Sequence, residues 1–313
     1  MAAINYFDYG DPSVLVPVLI KTPVATQNDP LIRIRSAGVN PIDYRIRKGE
    51  IRWLLPGGFP RTPGYDVSGE IAHCDPSTGL HIGERVMAFL PNRYGGGYAE
   101  YVTCPTSCIA KIPESMSYAD AAAIPLAGTT ALQSLRDHGK IRQGADVLIN
   151  GASGGVGHLA VQIAKAYDVN VTAVSSAKHE SFVRSLGADS FIDYRQTDYT
   201  KLGRKWDLIF DAAGKSSYFE ATRALTPKGR FVSTEPSLAG VFMSIATMLL
   251  PKRGRVMLAT PSADDLRQLI RLYERGELKV TIDSSYPLDE AADAQQRQQD
   301  GVDRGKLILT ISK

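Results

Sequence analysis

The stretch from Asp146 to Tyr167, DVLINGASGGVGHLAVQIAKAY, constrains the chain more than any other. Val147, Leu148 and Ile149 make a short apolar run of the kind buried on both faces of a parallel sheet, and Leu159, Ala160, Ile163 and Ala164 then recur at helical spacing. Between them the residues Ala152, Ser153, Gly154, Gly155, Val156 and Gly157 spell AxGxxG, with Ala152 where a first glycine usually stands. Such a turn combines a tight bend, a bare backbone beside a phosphate and close packing of helix on strand. It falls at a helix N-terminus, where backbone N–H groups and the helix dipole favour an anion. A glycine pattern alone is weak; a strand before it and a helix after it favour a dinucleotide over a merely structural turn.

Beyond the turn, strand and helix alternate. VTAVSS leads into a helix through Val183 to Leu186, SFIDY follows, DLIFDAA leads into a helix from Ser217, and RFVSTEP comes next. That alternation implies a doubly wound parallel sheet. Before the turn the texture differs: LIRIRSAGVN, RVMAFL, GGYAEYV and CIAKIP are short strands punctuated by Pro and Gly, as in a β-barrel. The change comes at Ser117, where SYADAAAIPLAGTTALQSLRDHG is Ala-rich and helix-periodic. Later, DDLRQLIRLYERGEL reads as an amphipathic helix ending near Gly276, and KLILTIS as a last strand.

Composition removes several function classes. A net charge of +3, with Lys and Arg scattered rather than clustered, offers no nucleic-acid or anionic-membrane surface. Cys74, Cys104 and Cys108 are too few and odd in number for a disulfide framework and fit a reducing compartment. The opening MAAINYFDYG lacks a basic segment followed by an apolar run, so no signal peptide is expected and a cytoplasmic protein is. The most apolar stretch, Leu238 to Leu250, is too short to span a bilayer and reads as a buried helix or a pocket flap.

Several segments then recur in a familiar order. Ser36 to Gly49 is SAGVNPIDYRIRKG, Pro63 to Ile71 is PGYDVSGEI, Ile82 to Val86 is IGERV, and Gly96 to Tyr101 is GGYAEY. With PLAGTTAL, the glycine turn and GKLIL at Gly305 to Leu309, they resemble the medium-chain dehydrogenase/reductase superfamily, within it the zinc-free quinone oxidoreductase branch. The resemblance implies an α/β protein in which a GroES-like β-barrel catalytic domain carries an inserted Rossmann domain. Residues 1–118 would form the first part of the barrel domain, 119–260 the nucleotide-binding domain, and 261–313 the return to the barrel. It also implies a homodimer.

Zinc-dependent relatives carry a Cys after the first barrel strand, a Gly-His-Glu segment and a four-cysteine lobe; here Asn40 and Pro41, then Gly64, Tyr65 and Asp66, stand at the matching places. Three dispersed cysteines and five isolated histidines do not assemble a zinc ligand set, so no metal is expected. Cys104 and Cys108 flank Pro105 in strand-like surroundings and read as small apolar residues or surface thiols.

Cofactor choice is written at the end of the second strand of the nucleotide domain, where an Asp or Glu would bond the ribose hydroxyls of NAD. Ser175 and Ser176 stand there, with Lys178 beyond, and no carboxylate. Hydroxyls and an ammonium suit a phosphate, which favours NADPH. A lone Lys usually just begins a solvated helix; Tyr194 in FIDYR tips the balance, because it matches a tyrosine that lies beside the same phosphate in relatives. The adjacent Arg195 could assist. Neighbouring strand ends at Ala212, Ala213, Gly214, Ser233 and Thr234 should hold the rest of the cofactor. By resemblance, Thr129 lies near the nicotinamide end and Lys306 returns toward the cofactor.

For the chemistry, Asn40 offers a donor and an acceptor without a charge change. In the family, the Asn of GVNPID approaches nicotinamide and substrate. Asp43 reads as a helix cap. Tyr44 and Tyr65 are candidate proton donors or carbonyl-orienting hydroxyls, though tyrosines are also common pocket walls. Tyr44 and Lys48 form a YxxxK spacing by chance, in the wrong domain for that mechanism. Leu54, Leu55, Phe59 and the Leu238 to Leu250 stretch could line a cleft for a flat or lipid-like substrate, with a domain-core or dimer-contact helix as the alternative for the last. The expected activity is NADPH-dependent hydride transfer, without zinc, to a quinone or an α,β-unsaturated carbonyl. The alternatives are an enoyl-thioester or alkenal reductase of one pathway, and a non-catalytic NADPH-binding interaction protein.

Overall fold

The computed structural model describes residues 1–53, 55–235 and 237–311. The chain divides into two compact units, one made of Met1–Leu126, Thr260–Arg271 and Val280–Lys313, the other of Ala127–Ala259 and Leu272–Lys279.

In the second unit six strands run parallel in the order Ser190–Asp193, Asn170–Ser175, Asp146–Asn150, Trp206–Asp211, Leu225–Ser233, Arg253–Val256. This is the expected doubly wound sheet. The strand of the glycine turn lies in the middle, and the order of succession reverses beside it, which opens a crevice at the carboxyl ends. Val147, Leu148 and Ile149 are fully buried, as a strand covered on both faces requires. Trp206 packs edge-on to Tyr199 within the core and donates its indole N–H to Thr172 Oγ1 at 3.1 Å.

The first unit is built on a seven-stranded sheet, antiparallel except where Ile282–Pro287 runs parallel to Lys306–Thr310. The strand Leu31–Val39 lies between Lys306–Thr310 and Asp66–His73, with Tyr101–Thr103 pairing farther along it. Leu307 sits opposite Val39, and Asp66 opposite Gly38. Three remote segments therefore converge beside Asn40. Gly38 permits this: a Cβ there would fall 2.8 Å from Asp66 Oδ2 and 2.5 Å from the Ala122 carbonyl oxygen. The small helix Tyr118–Ala123 lays its alanines against this sheet at Ile308.

The structure departs from the sequence reading in several places. The Ala-rich stretch after Ser117 is not one helix but Tyr118–Ala123, then Pro125–Gln133, then a π-helical turn Ser134–Gly139. Pro125 lacks an N–H and restricts Ile124, so the helix restarts there. Pro105 precedes a 3-10 turn, Thr106–Cys108, rather than sitting within a strand, and Cys104 and Cys108 are both buried and free. Leu238–Ala246 is a helix, but it is not buried: Phe242 is 74% and, just beyond the helix, Leu249 92% exposed, while Met243 is covered. Phe59 packs edge-on against Tyr6 and Tyr9. Leu54 lies outside the described residues.

Candidate functional site

The glycine turn leaves its strand through Gly151, at φ 78°. This left-handed position lies one residue before the AxGxxG pattern, and Ala152, where a first glycine usually stands, is fully buried. Gly157, at the start of the ten-residue helix Gly157–Ala166, is the sterically obligatory glycine. A Cβ there would lie 2.0 Å from Gly151 O and 2.8 Å from Ala152 Cα, both backbone atoms. At Gly154 a Cβ would meet only Gly151 O, at 3.5 Å. The N–H groups of Gly155 and Val156 have no acceptor among the described residues. Unpaired donors at a helix N-terminus fit the phosphates of a dinucleotide.

The turn is tied to the second strand by Ser153 Oγ, 2.8 Å from Ser175 Oγ. Ser175 and Ser176 are buried at the strand end, and the 3-10 turn Ala177–His179 leaves Lys178 exposed. In the neighbouring strand Asp193 is in register with Ser175, and the Tyr194 N–H donates to Ser175 O at 3.3 Å. Tyr194 is 57% exposed and the Arg195 guanidinium lies 5.8 Å from its ring centre. Ser153, Ser175, Ser176 and Tyr194 are thus gathered at one sheet end. These hydroxyls, with Lys178 and Arg195, suit an additional phosphate.

A buried carboxylate that the sequence reading missed organises the next strand ends. Asp211 Oδ1 accepts from Asn150 Nδ2 at 2.9 Å; its Oδ2 accepts from the Ser216 N–H at 2.7 Å and from Ser233 Oγ at 3.3 Å. Burial raises the Asp211 carboxyl above the usual range, against these hydrogen bonds. Ser233 therefore spends its proton inside the protein, while Ala213 and Gly214, at φ 63°, form the adjoining turn. The legible signal was a polar residue ending each of three apolar strands. Thr129 is fully buried and its Oγ1 has no partner among the described residues, an orphaned hydroxyl that fits a bound group.

In the first unit Asn40 begins the helix Pro41–Arg47, and its own N–H donates to Asp43 Oδ2 at 2.8 Å. The capping role expected of Asp43 is what the geometry displays, and it extends further. Its carboxylate also accepts from the Gly64 N–H at 3.2 Å and from the Tyr98 hydroxyl at 3.2 Å. Burial, reinforced by Asp66, pushes Asp43 up to about 7 against those hydrogen bonds.

The Asn40 side chain is equally engaged. Nδ2 donates to Asp66 Oδ2 at 2.9 Å and Oδ1 accepts from the Lys306 ammonium. Lys306 also reaches Val39 O at 3.3 Å and pairs with Asp66 Oδ2 at 3.6 Å; Asp66 Oδ1 takes the Leu126 N–H at 2.7 Å. Burial raises Asp66 and lowers Lys306, with their mutual attraction opposing both shifts. An ammonium between these residues is hostile to a divalent cation, and no cluster of three or more metal-ligating side chains exists among the described residues. Tyr65 donates its hydroxyl to Arg93 O at 2.7 Å, and burial raises its pKa far above the usual phenol value. Tyr44 is partly buried, and its hydroxyl is without a partner among the described residues. No described helix is long and apolar enough to cross a membrane.

A doubly wound sheet with an anion cradle at its switch point, joined in one chain to an antiparallel unit with a buried polar cluster, is the build of a nicotinamide-dependent oxidoreductase. Comparison with known proteins agrees. The alcohol dehydrogenase GroES-like domain family matches residues 26–114 and the zinc-binding dehydrogenase family residues 186–309. The chloroplast envelope quinone oxidoreductase homolog of Arabidopsis thaliana is 33% identical, covering 99% of this chain and 98% of that protein. An NADPH-dependent alkenal/one oxidoreductase of the same plant is 30% identical over 99% of this chain and 79% of its own length. The solved quinone oxidoreductase of Coxiella burnetii superposes with a TM-score of 0.92 at 32% identity, covering 100% of this chain and 99% of that one. The chain belongs to the medium-chain dehydrogenase/reductase superfamily, in its zinc-free quinone oxidoreductase branch.

Proposed function

We propose that the protein is an NADPH-dependent, zinc-independent reductase of quinones and α,β-unsaturated carbonyls. The observation that carries the cofactor choice is the strand end at Ser175 and Ser176, joined through Ser153 to a glycine turn with unpaired donors and lacking the carboxylate that would select NAD. Gly155, Val156 and Gly157 would hold the pyrophosphate, and Ser176, Lys178 and Tyr194 the additional phosphate. Ala213, Gly214, Ser233 and Thr129 would flank the rest. When bound, NADPH supplies the hydride.

A conjugated acceptor needs no Lewis acid, because the incoming charge delocalises onto an oxygen that hydrogen bonds can hold. Asn40 is the neutral donor for that oxygen. Of the two tyrosines, Tyr44 is the one whose hydroxyl is available to pass a proton; that of Tyr65 is committed to Arg93 O. The names of the relatives support both acceptor classes.

The metal-stripped protein should oxidise NADPH much faster than NADH with a quinone or an enone. Preference for enoyl thioesters would favour the pathway-specific alternative. NADPH binding with no turnover on quinones, enones or enoyl thioesters would favour the non-catalytic one. Lys178→Ala should weaken NADPH by about tenfold, the value of roughly one charge-assisted contact, and leave NADH nearly unchanged. Equal effects on both would remove Lys178 from the phosphate site.

The homodimer finds support in the open edge of the parallel sheet. Arg253–Val256 is the last strand, and the segment packed before it exposes Val241, Phe242, Ile245, Leu249 and Leu250. An unpaired edge flanked by so much apolar surface calls for a cover, and a second copy paired across the edge provides one. Light scattering should give twice the 34.0 kDa chain mass. Phe242→Glu with Leu249→Glu should give the monomer; a parent that is itself monomeric ends this reading.

A further inference from the structure

The side chain of Lys306 is 3% exposed, and an ammonium has three donors. Three acceptors surround it: Val39 O, Asn40 Oδ1 and Asp66 Oδ2. Two of these contacts are hydrogen bonds and the third, at 3.6 Å, is an ion pair, so the buried ammonium is turned toward this cluster. Asn40, in turn, is held from both sides, its oxygen against the cation and its nitrogen against the Asp66 carboxylate. Rotating the amide by half a turn would set NH₂ against ammonium and oxygen against carboxylate, losing both hydrogen bonds and adding two repulsions. Asp66 is itself anchored through Oδ1 by the Leu126 N–H. One N–H of the Asn40 amide is left without an acceptor among the described residues.

We propose that Lys306 and Asp66 are a positioning pair: they lock the Asn40 amide so that its spare N–H donates to the carbonyl oxygen of the acceptor, and Lys306 does not bind the cofactor. This rests on the reading of the protein as a reductase of conjugated carbonyls. As the hydride forms the new C–H bond at the β-carbon, the C=C electron pair moves toward the carbonyl and charge collects on its oxygen. Asn40 stabilises that oxygen by a hydrogen bond and gives up no proton. The proton that completes the reduction comes from water or the Tyr44 hydroxyl, leaving NADP⁺ and the saturated carbonyl. The sequence offers no signal for this trio, since Lys306 and Asn40 are 266 residues apart.

The test is Lys306→Met in the full-length protein. With the amide free to turn, kcat on an enone should fall on the order of 100-fold, the usual cost of a misplaced reacting contact, while the NADPH Kd stays within about twofold. A Kd raised tenfold or more with kcat intact at saturation would make Lys306 a cofactor ligand and overturn the proposal. Should that variant fail to fold, the exchange Asn40→Asp with Asp66→Asn keeps the net charge of the trio and a carboxylate beside Lys306 but deletes the spare N–H. It should bind NADPH normally and lose kcat to a similar degree; retained kcat overturns the proposal. In the parent, the nitrogen-15 relaxation order parameter of the Asn40 side-chain amide should match rigid backbone, about 0.85, and a value below about 0.6 would contradict the locking. That reading needs no turnover, so a parent inactive on every acceptor would refute the assigned activity while locking of the amide is still decided.

Discussion

Gly157→Val is expected to abolish dinucleotide binding. Its Cβ would be driven to 2.0 Å from Gly151 O and 2.8 Å from Ala152 Cα, and neither atom belongs to a side chain that could rotate away. Relief requires the turn itself to open, carrying the Gly155 and Val156 N–H groups out of their common direction. The NADPH Kd should rise at least about 100-fold, equivalent to roughly 2.7 kcal/mol. Overpacking should also cost about 1–3 kcal/mol of stability. Gly154→Ala separates ligand from fold. Its Cβ touches the protein only at 3.5 Å, so stability should hold within about 0.5 kcal/mol while a methyl group beside the phosphate weakens NADPH. Fluorescence titration with NADPH and denaturant unfolding measure the two quantities; a Gly157→Val protein that binds like the parent would move the cofactor elsewhere.

Stability of the protein should fall as pH rises from about 4 to 7, with Asp43 as the source. Its folded pKa of about 7 lies above the ordinary 3.8, because burial disfavours the charged form more than the Asn40 N–H, the Gly64 N–H and the Tyr98 hydroxyl favour it. The folded state therefore binds its proton more tightly than the unfolded chain. The associated stabilisation is complete below the unfolded pKa and disappears as pH passes the folded one. A gap of about three units corresponds to on the order of 4 kcal/mol, within which Asp66, raised in the same direction, and Lys306, lowered, are coupled. Asp43→Asn should flatten the dependence of the urea midpoint on pH between about 4 and 7. An unchanged slope would assign the titration to another group.

Local signals carried much of the fold into view. The apolar run Val147–Ile149, the glycine turn and the periodic helix behind it are read from adjacent residues, because backbone sterics and side-chain spacing act within a few positions. The Ser175 and Ser176 strand end was legible for the same reason. Boundaries were less so: Pro125 divides what composition presents as one helix, and Gly151, not Ala152, takes the left-handed bend. For the Leu238 to Leu250 stretch, the apolar character leaves open whether the helix is buried, flaps over a pocket or meets a second copy, because it reports a wish for cover without naming what supplies it; the structure excludes burial for Phe242 and Leu249.

The polar clusters were only half visible. Asn40, Asp43 and Lys306 could each be singled out by type and by resemblance, but not the arrangement that joins them. Asp211 was passed over because an Asp at a strand end is unremarkable until Asn150, Ser216 and Ser233 are found around it.

By itself, the sequence determined a strand–turn–helix that can take a phosphate, the alternation behind a doubly wound sheet, and a strand end free of carboxylate. These are short-range consequences of sterics and charge. Only the tertiary structure decided that the Asn40 amide is held between Lys306 and Asp66 with one N–H to spare, that the Lys306 ammonium is buried against Val39 O, Asn40 and Asp66, and that burial pushes the Asp43 carboxyl up. Each depends on burial and on partners brought together from distant segments by strand pairing, where the cost of an unpaired charge or donor is set by surroundings that no single stretch of chain contains.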